Sequence, residues 1–115
     1  MPLLAFNGTN DYIVHYSGGA FARWSGLPSV SETQARWEQR KSCAAPRKPV
    51  WSSKEVTCEA ANSCAADHVL CTIRGGGHTW PGGMTVPWLG HTTAEIDASA
   101  TMLDFFAGHA LSAGR

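Results

Sequence analysis

Two short apolar runs limit the fold of this 115-residue chain more than any other feature. Leu3-Leu4-Ala5-Phe6 is continuously apolar and ends in Asn7-Gly8, whereas His68-Val69-Leu70-Cys71-Thr72-Ile73 is rich in β-branched residues and closes on Gly75-Gly76-Gly77. Uninterrupted apolar runs bounded by turn residues are the pattern of strands buried on both faces. A helix signal follows each run. Ser29-Val30-Ser31-Glu32 matches a capping box and predicts a helix to about Ser42. Its only apolar positions, Val30, Ala35 and Trp37, make it a surface helix with a narrow buried stripe. Ile96 to Phe106 has apolar residues at 96, 102, 103, 105 and 106, which predicts a second helix starting near Asp97 or Ser99 and fraying after His109. The alternation of strand and helix predicts an α/β layer with parallel strands. Two strands cannot make a doubly covered sheet, so the expected fold is the C-terminal part of one domain, spanning residues 1–115, whose other strands lie upstream.

Four cysteines, Cys43, Cys58, Cys64 and Cys71, fall within a 29-residue window at intervals of 15, 6 and 7. Structural zinc sites favour Cys-x-x-Cys pairs, which are absent here, so two disulfides fit better and imply an oxidising compartment. Four cysteines allow three connectivities. The segment from about 43 to 71 is an excursion held by these residues. Pro46 and Pro49 exclude a long regular element from it, with Val56-Thr57-Cys58 as at most a short edge strand.

Nine Lys plus Arg balance nine Asp plus Glu without a basic stripe, which argues against nucleic acid and anionic membrane as partners. No apolar run reaches the roughly 20 residues of a membrane span, and the first residues carry no signal-peptide pattern. Nothing matches a Walker loop or dinucleotide fingerprint, and no cofactor is expected.

In open α/β sheets the reactive groups collect in loops beyond the C-terminal ends of the strands. Asp11 follows the first strand in Asn7-Gly8-Thr9-Asn10-Asp11, and His78 follows the second in Gly75-Gly76-Gly77-His78. Adjacent parallel strands would bring the two together across 67 residues of sequence. A histidine takes a proton from a hydroxyl nucleophile when a carboxylate fixes its tautomer and stabilises the imidazolium, and Asp11 is the candidate carboxylate. The glycines before His78 are expected to allow a sharp turn and to leave room for an acyl group.

Those two turns resemble the acid turn and the histidine loop of secreted feruloyl esterases, acetylxylan esterases and polyhydroxybutyrate depolymerases of the α/β-hydrolase fold. The nonapeptide Gly75-Gly76-Gly77-His78-Thr79-Trp80-Pro81-Gly82-Gly83 carries most of the resemblance. Trp37 before Cys43, the cysteines before the last strand and Asp104-Phe105-Phe106 in the closing helix extend it. It implies a catalytic role for His78 and Asp11, a place for Trp80 in the acyl pocket or its rim, and disulfides pairing Cys43 with Cys64 and Cys58 with Cys71. It also implies a secreted parent acting on plant cell-wall feruloyl or acetyl esters or on a short-chain polyester. The family order is Ser, acid, His, yet no Gly-x-Ser-x-Gly occurs here, because Ser17 follows His15 and Ser25 follows Arg23 by two positions. The nucleophile is therefore expected in the missing N-terminal part of the same domain, and the isolated chain is expected to be inactive.

The competing expectation is a non-catalytic carbohydrate-binding or interaction module that uses exposed tryptophans among Trp24, Trp37, Trp51, Trp80 and Trp88. Of these, Trp37 and Trp51 read as packing residues. His15, His68, His91 and His109 have no carboxylate or cysteine at ligand spacing and read as surface residues, so zinc held by His78 and His91 is disfavoured and no metal is expected.

Overall fold

The computed structural model describes residues 1–21 and 23–110. Strand β1, Leu3–Gly8, pairs in parallel with β6, His68–Ile73, in a register running from Leu3 opposite His68 to Gly8 opposite Ile73. The two apolar runs are thus neighbours in one sheet, and the loops beyond them leave on the same side. Helix α1 spans Val30–Arg40, with Ser29 accepting from the Glu32 amide and Glu32 accepting from the Ser29 amide. Helix α2 spans Ala98–Ala107 and is capped by Asp97, whose carboxylate accepts from the Ala100 amide.

The sheet is mixed, not parallel throughout. Its order is β1-β6-β5-β4, where β5 is Val56–Asn62, β4 is Ala45–Ser52, and both β4–β5 and β5–β6 are antiparallel. The cysteine-rich excursion is therefore a hairpin and not an irregular segment. Val56-Thr57-Cys58 opens an interior strand of seven residues. The prolines are tolerated because β4 is an edge strand with pairing partners on one side only, and its ladder shifts between Ala45 and Lys48 and again between Pro49 and Trp51. On this edge Trp51 is exposed, where packing was expected. A second small sheet pairs β2, Gly19–Phe21, with β3, Trp24–Leu27, which the sequence did not signal.

The apolar core is the shared face of β5 and β6. Val56, Cys58, Cys71 and Ile73 are buried there, with Leu4, Phe6, Val69 and Ile96 packed against them. One disulfide joins Cys58 to Cys71, directly opposed residues of β5 and β6, and the other joins Cys43 beyond α1 to Cys64 beyond β5. These are the pairs that the resemblance implied, and disulfide bonding removes all four thiols from zinc ligation. By restricting the unfolded chain, closures of 13 and 21 residues stabilise by about 3 kcal/mol each.

Three histidines expected at the surface have partners that are distant in sequence. His68 is only 1% exposed. The Lys41 ammonium donates to its Nδ1 at 3.3 Å, so the ring proton is on Nε2 and donates to Gln34 Oε1. The buried stripe of α1 is accordingly Val30 and Gln34, while Ala35 is exposed, and Lys41 beyond the helix is also buried. His91 pairs with Glu55 and His109 with Asp67. Both ring nitrogens of His109 face acceptors, the Phe105 carbonyl and the Asp67 carboxylate, and these raise its pKa in that order of importance.

Burial, reinforced by the adjacent Lys41 and Arg47 charges and opposed by Glu38, holds His68 below the ordinary histidine value of 6.5. Its contribution to stability is therefore present above about 6.5 and lost as pH falls through the lowered folded value. The raised pKa of His109 has the opposite sign, adding stability below about 6.5 that is lost as pH rises through its folded value. In His109→Ala, where that opposing effect is absent, the thermal midpoint should be lower at pH 5 than at pH 7. Proton resonances of the His68 ring should titrate below 6.5, and titration at or above that value would contradict the buried neutral ring.

Candidate active site

The acid turn and the histidine loop are joined by backbone before any side chain is considered. The Thr9 amide donates to the Ile73 carbonyl and the Asn10 amide to the Gly76 carbonyl, each at 2.9 Å, while the Gly75 amide donates to Thr9 Oγ1 at 2.8 Å. This contact leaves no space for side chains. A Cβ on Gly8 would lie 2.2 Å from the Gly76 oxygen, and one on Gly77 would lie 2.2 Å from the Leu89 oxygen. Gly75 supplies the turn with a φ of 75°. A Cβ on Gly76 would lie 2.7 Å from Ile73 Cγ2, so both Gly76 and Gly77 are required by close packing, and both also border the cavity beside His78.

Asp11 and His78 meet on this frame. The Asp11 side chain is 9% exposed, and its Oδ1 accepts from the amides of Ile13 and Val14 at 2.8 Å each. Its Oδ2 lies 2.9 Å from Nδ1 of His78. A carboxylate only accepts, so Nδ1 carries the proton of the neutral ring and Nε2 is left as the basic nitrogen. Among the described residues nothing hydrogen-bonds to Nε2, and the His78 side chain is 42% exposed. The ring borders a cavity of about 550 Å³ with apolar walls that include Phe6, Val14, Met84, Val86 and Leu89.

Trp80 stands in the same wall, 48% exposed, with its indole N–H donating to Ser99 Oγ of α2 at 2.9 Å and its ring centroid 6.2 Å from that of Phe6. Its other side borders an apolar groove with Met102, Phe105 and Phe106. Several site residues had no signal in the sequence. The segment Leu89 to His91 backs the histidine loop, accepting from the His78 amide at Leu89 and from the Gly77 amide at His91. Tyr12, just past the acid, donates to the Trp88 carbonyl. Gly90 lets the segment turn with a φ of 97°.

The chain is 31% identical over 83 residues to feruloyl esterase B of Piromyces equi, covering 67% of this chain and 15% of that protein. It is 35% identical over 93 residues to NocK of Nocardia uniformis subsp. tsuyamanensis, which carries an esterase name, covering 77% of this chain and 24% of that protein. The chain is esterase-related. It spans less than a quarter of the length of either relative. No protein-family model matches this esterase-related chain, and no solved structure matches it.

The glycine geometry gives a direct test. Gly77→Ala should lower the free energy of urea unfolding by about 1–3 kcal/mol, since backbone and not a flexible side chain stands in the way. Gly108→Ala, whose added methyl would sit 3.6 Å from its nearest neighbour, should leave it unchanged within about 0.5 kcal/mol. Equal effects would contradict the described packing of the loop.

Proposed function

We propose that Asp11 and His78 are the acid and the base of a serine carboxylesterase, and that this chain is the C-terminal part of its α/β-hydrolase domain. The observation that carries the reading is the 2.9 Å contact between Asp11 Oδ2 and His78 Nδ1, with the other Asp11 oxygen fixed by two amides. A carboxylate held this way orients the ring and stabilises the imidazolium without itself taking the proton. The similarity to proteins with esterase names supports the ester as substrate.

The nucleophile is a serine outside these 115 residues, which contain no Gly-x-Ser-x-Gly. As its Oγ bonds to the ester carbonyl carbon, its proton passes to Nε2 of His78. Collapse of the tetrahedral intermediate breaks the ester C–O bond, and His78 returns the proton to the leaving alkoxide. Water then attacks the acyl-enzyme, giving a proton to Nε2, and the acid leaves as that proton returns to serine. The oxyanion donors also belong to the part of the enzyme that bears the serine. Trp80 and the apolar cavity wall contact the acyl group, which is feruloyl, acetyl or a short hydroxyalkanoyl. The two disulfides suit a secreted parent.

The chain by itself should hydrolyse neither p-nitrophenyl acetate nor methyl ferulate. Placed in NocK in exchange for the aligned segment, it should give a chimaera that hydrolyses p-nitrophenyl acetate, with kcat falling by roughly 10³-fold or more in His78→Ala. Circular dichroism would establish that each chimaera is folded. A folded His78→Ala chimaera as active as its parent would overturn the assignment. Turnover by the isolated chain that vanishes in His78→Ala would instead show that the nucleophile lies within these residues.

A further inference from the structure

We propose that Glu55 and His91 are positioning residues for His78, acting through the Leu89–His91 segment. The inference rests on reading His78 as the base. Two carbonyls of that segment carry the backbone on both sides of the imidazole. The Leu89 oxygen accepts from the His78 amide at 2.8 Å, and the His91 oxygen accepts from the Gly77 amide at 2.9 Å and from Thr79 Oγ1 at 3.0 Å. This segment therefore braces the histidine loop.

The segment has little regular structure of its own. It leaves a single 3₁₀ turn at Pro87–Leu89, passes through Gly90 and touches strand geometry only in the bridge between Gly76 and His91. Side chains must therefore anchor it. His91 Nε2 lies 3.1 Å and 3.0 Å from the two carboxylate oxygens of Glu55. Glu55 sits in the turn between β4 and β5, and that turn is hydrogen-bonded on several sides. Its amide donates to Glu95 Oε1 at 2.8 Å, its carbonyl accepts from the Arg74 amide at 2.7 Å, and the Ser53 amide donates to the Val56 carbonyl at 2.8 Å. The pair thus ties the segment behind the base to the antiparallel half of the sheet, whose strands are clipped by the Cys58–Cys71 disulfide.

The contact does not depend on the charge of His91. The Thr93 hydroxyl first, and then His91, hold the Glu55 carboxyl below its ordinary range, so Glu55 accepts throughout the neutral region. Neutral His91 with its proton on Nε2 donates to it, and so does the imidazolium. Both side chains are partly exposed, and exposed pairs add little to global stability. Removing the pair should accordingly loosen the histidine loop and leave the fold in place.

Amide hydrogen exchange of the intact chain tests this residue by residue. Glu55→Ala and His91→Ala should each speed exchange at Gly77 and His78 by about tenfold or more, with Cys58 and Leu70 in the sheet unchanged. Glu55→Gln keeps an acceptor for His91 and should restore most of the protection. In the NocK chimaera Glu55→Ala should lower kcat by about tenfold with KM unchanged, as misplacement of a catalytic group predicts. Exchange at Gly77 and His78 that changes less than twofold in both alanine variants would overturn the proposal, as would failure of Glu55→Gln to protect better than Glu55→Ala. If one alanine variant does not fold, the other decides. Failure of the base assignment shows separately, as chimaera activity that survives His78→Ala.

Discussion

Parallel pairing of β1 with β6 is the contact on which the candidate site depends. With Gly8 opposite Ile73, the acid turn and the histidine loop emerge side by side, and the Asn10 amide and Thr9 hydroxyl bond directly to the loop that carries His78. Parallel neighbours require a long crossover, and here it includes α1 and the β4–β5 hairpin. The cost of closing so long a connection is offset by covalent and buried contacts along it. The disulfides fix the hairpin to β6 and to the end of α1, and the buried group of Gln34, Lys41 and His68 docks α1 on the first residue of β6. That polar group is satisfied at both ring nitrogens of His68, which is the condition for burying it at tolerable cost.

The site is rigid on one side and open on the other. Asp11 is held by amides of its own turn, and the backbone of His78 is held by the Leu89–His91 segment. Nε2 of His78, in contrast, has no partner among the described residues. The free Nε2 is thus an acceptor held in a fixed orientation by the carboxylate on the other side of the ring. The acid turn and the histidine loop approach closely through backbone contacts at Gly8 and Gly77 where a Cβ would clash.

Features fixed by near neighbours are legible in the sequence. The Ser29 to Glu32 capping box, the Asp97 cap and both apolar strands lie where residue type and spacing place them, because each depends on neighbours within a few positions. The juxtaposition of Asp11 and His78 followed from the assumption of adjacent parallel strands. Non-local features were not legible. Strand β4 contains two prolines, and only its edge position makes them acceptable. Lys41, His68, His91 and His109 find partners 26 to 42 residues away, beyond the reach of any spacing rule. The glycine run suggested a turn and space beside the imidazole, but its close packing against Ile73 and the Leu89–Gly90 backbone had no local signal.

The Asp11 carboxylate, which can only accept, dictates which nitrogen of His78 carries its proton. Long-range proton–nitrogen correlation spectroscopy of the ring nitrogens, with the imidazole neutral, measures this directly. The proton should reside on Nδ1 in the native chain and lose that preference in Asp11→Ala. A proton on Nε2 in the native chain, or a distribution that Asp11→Ala leaves unchanged, would contradict control of the tautomer by Asp11.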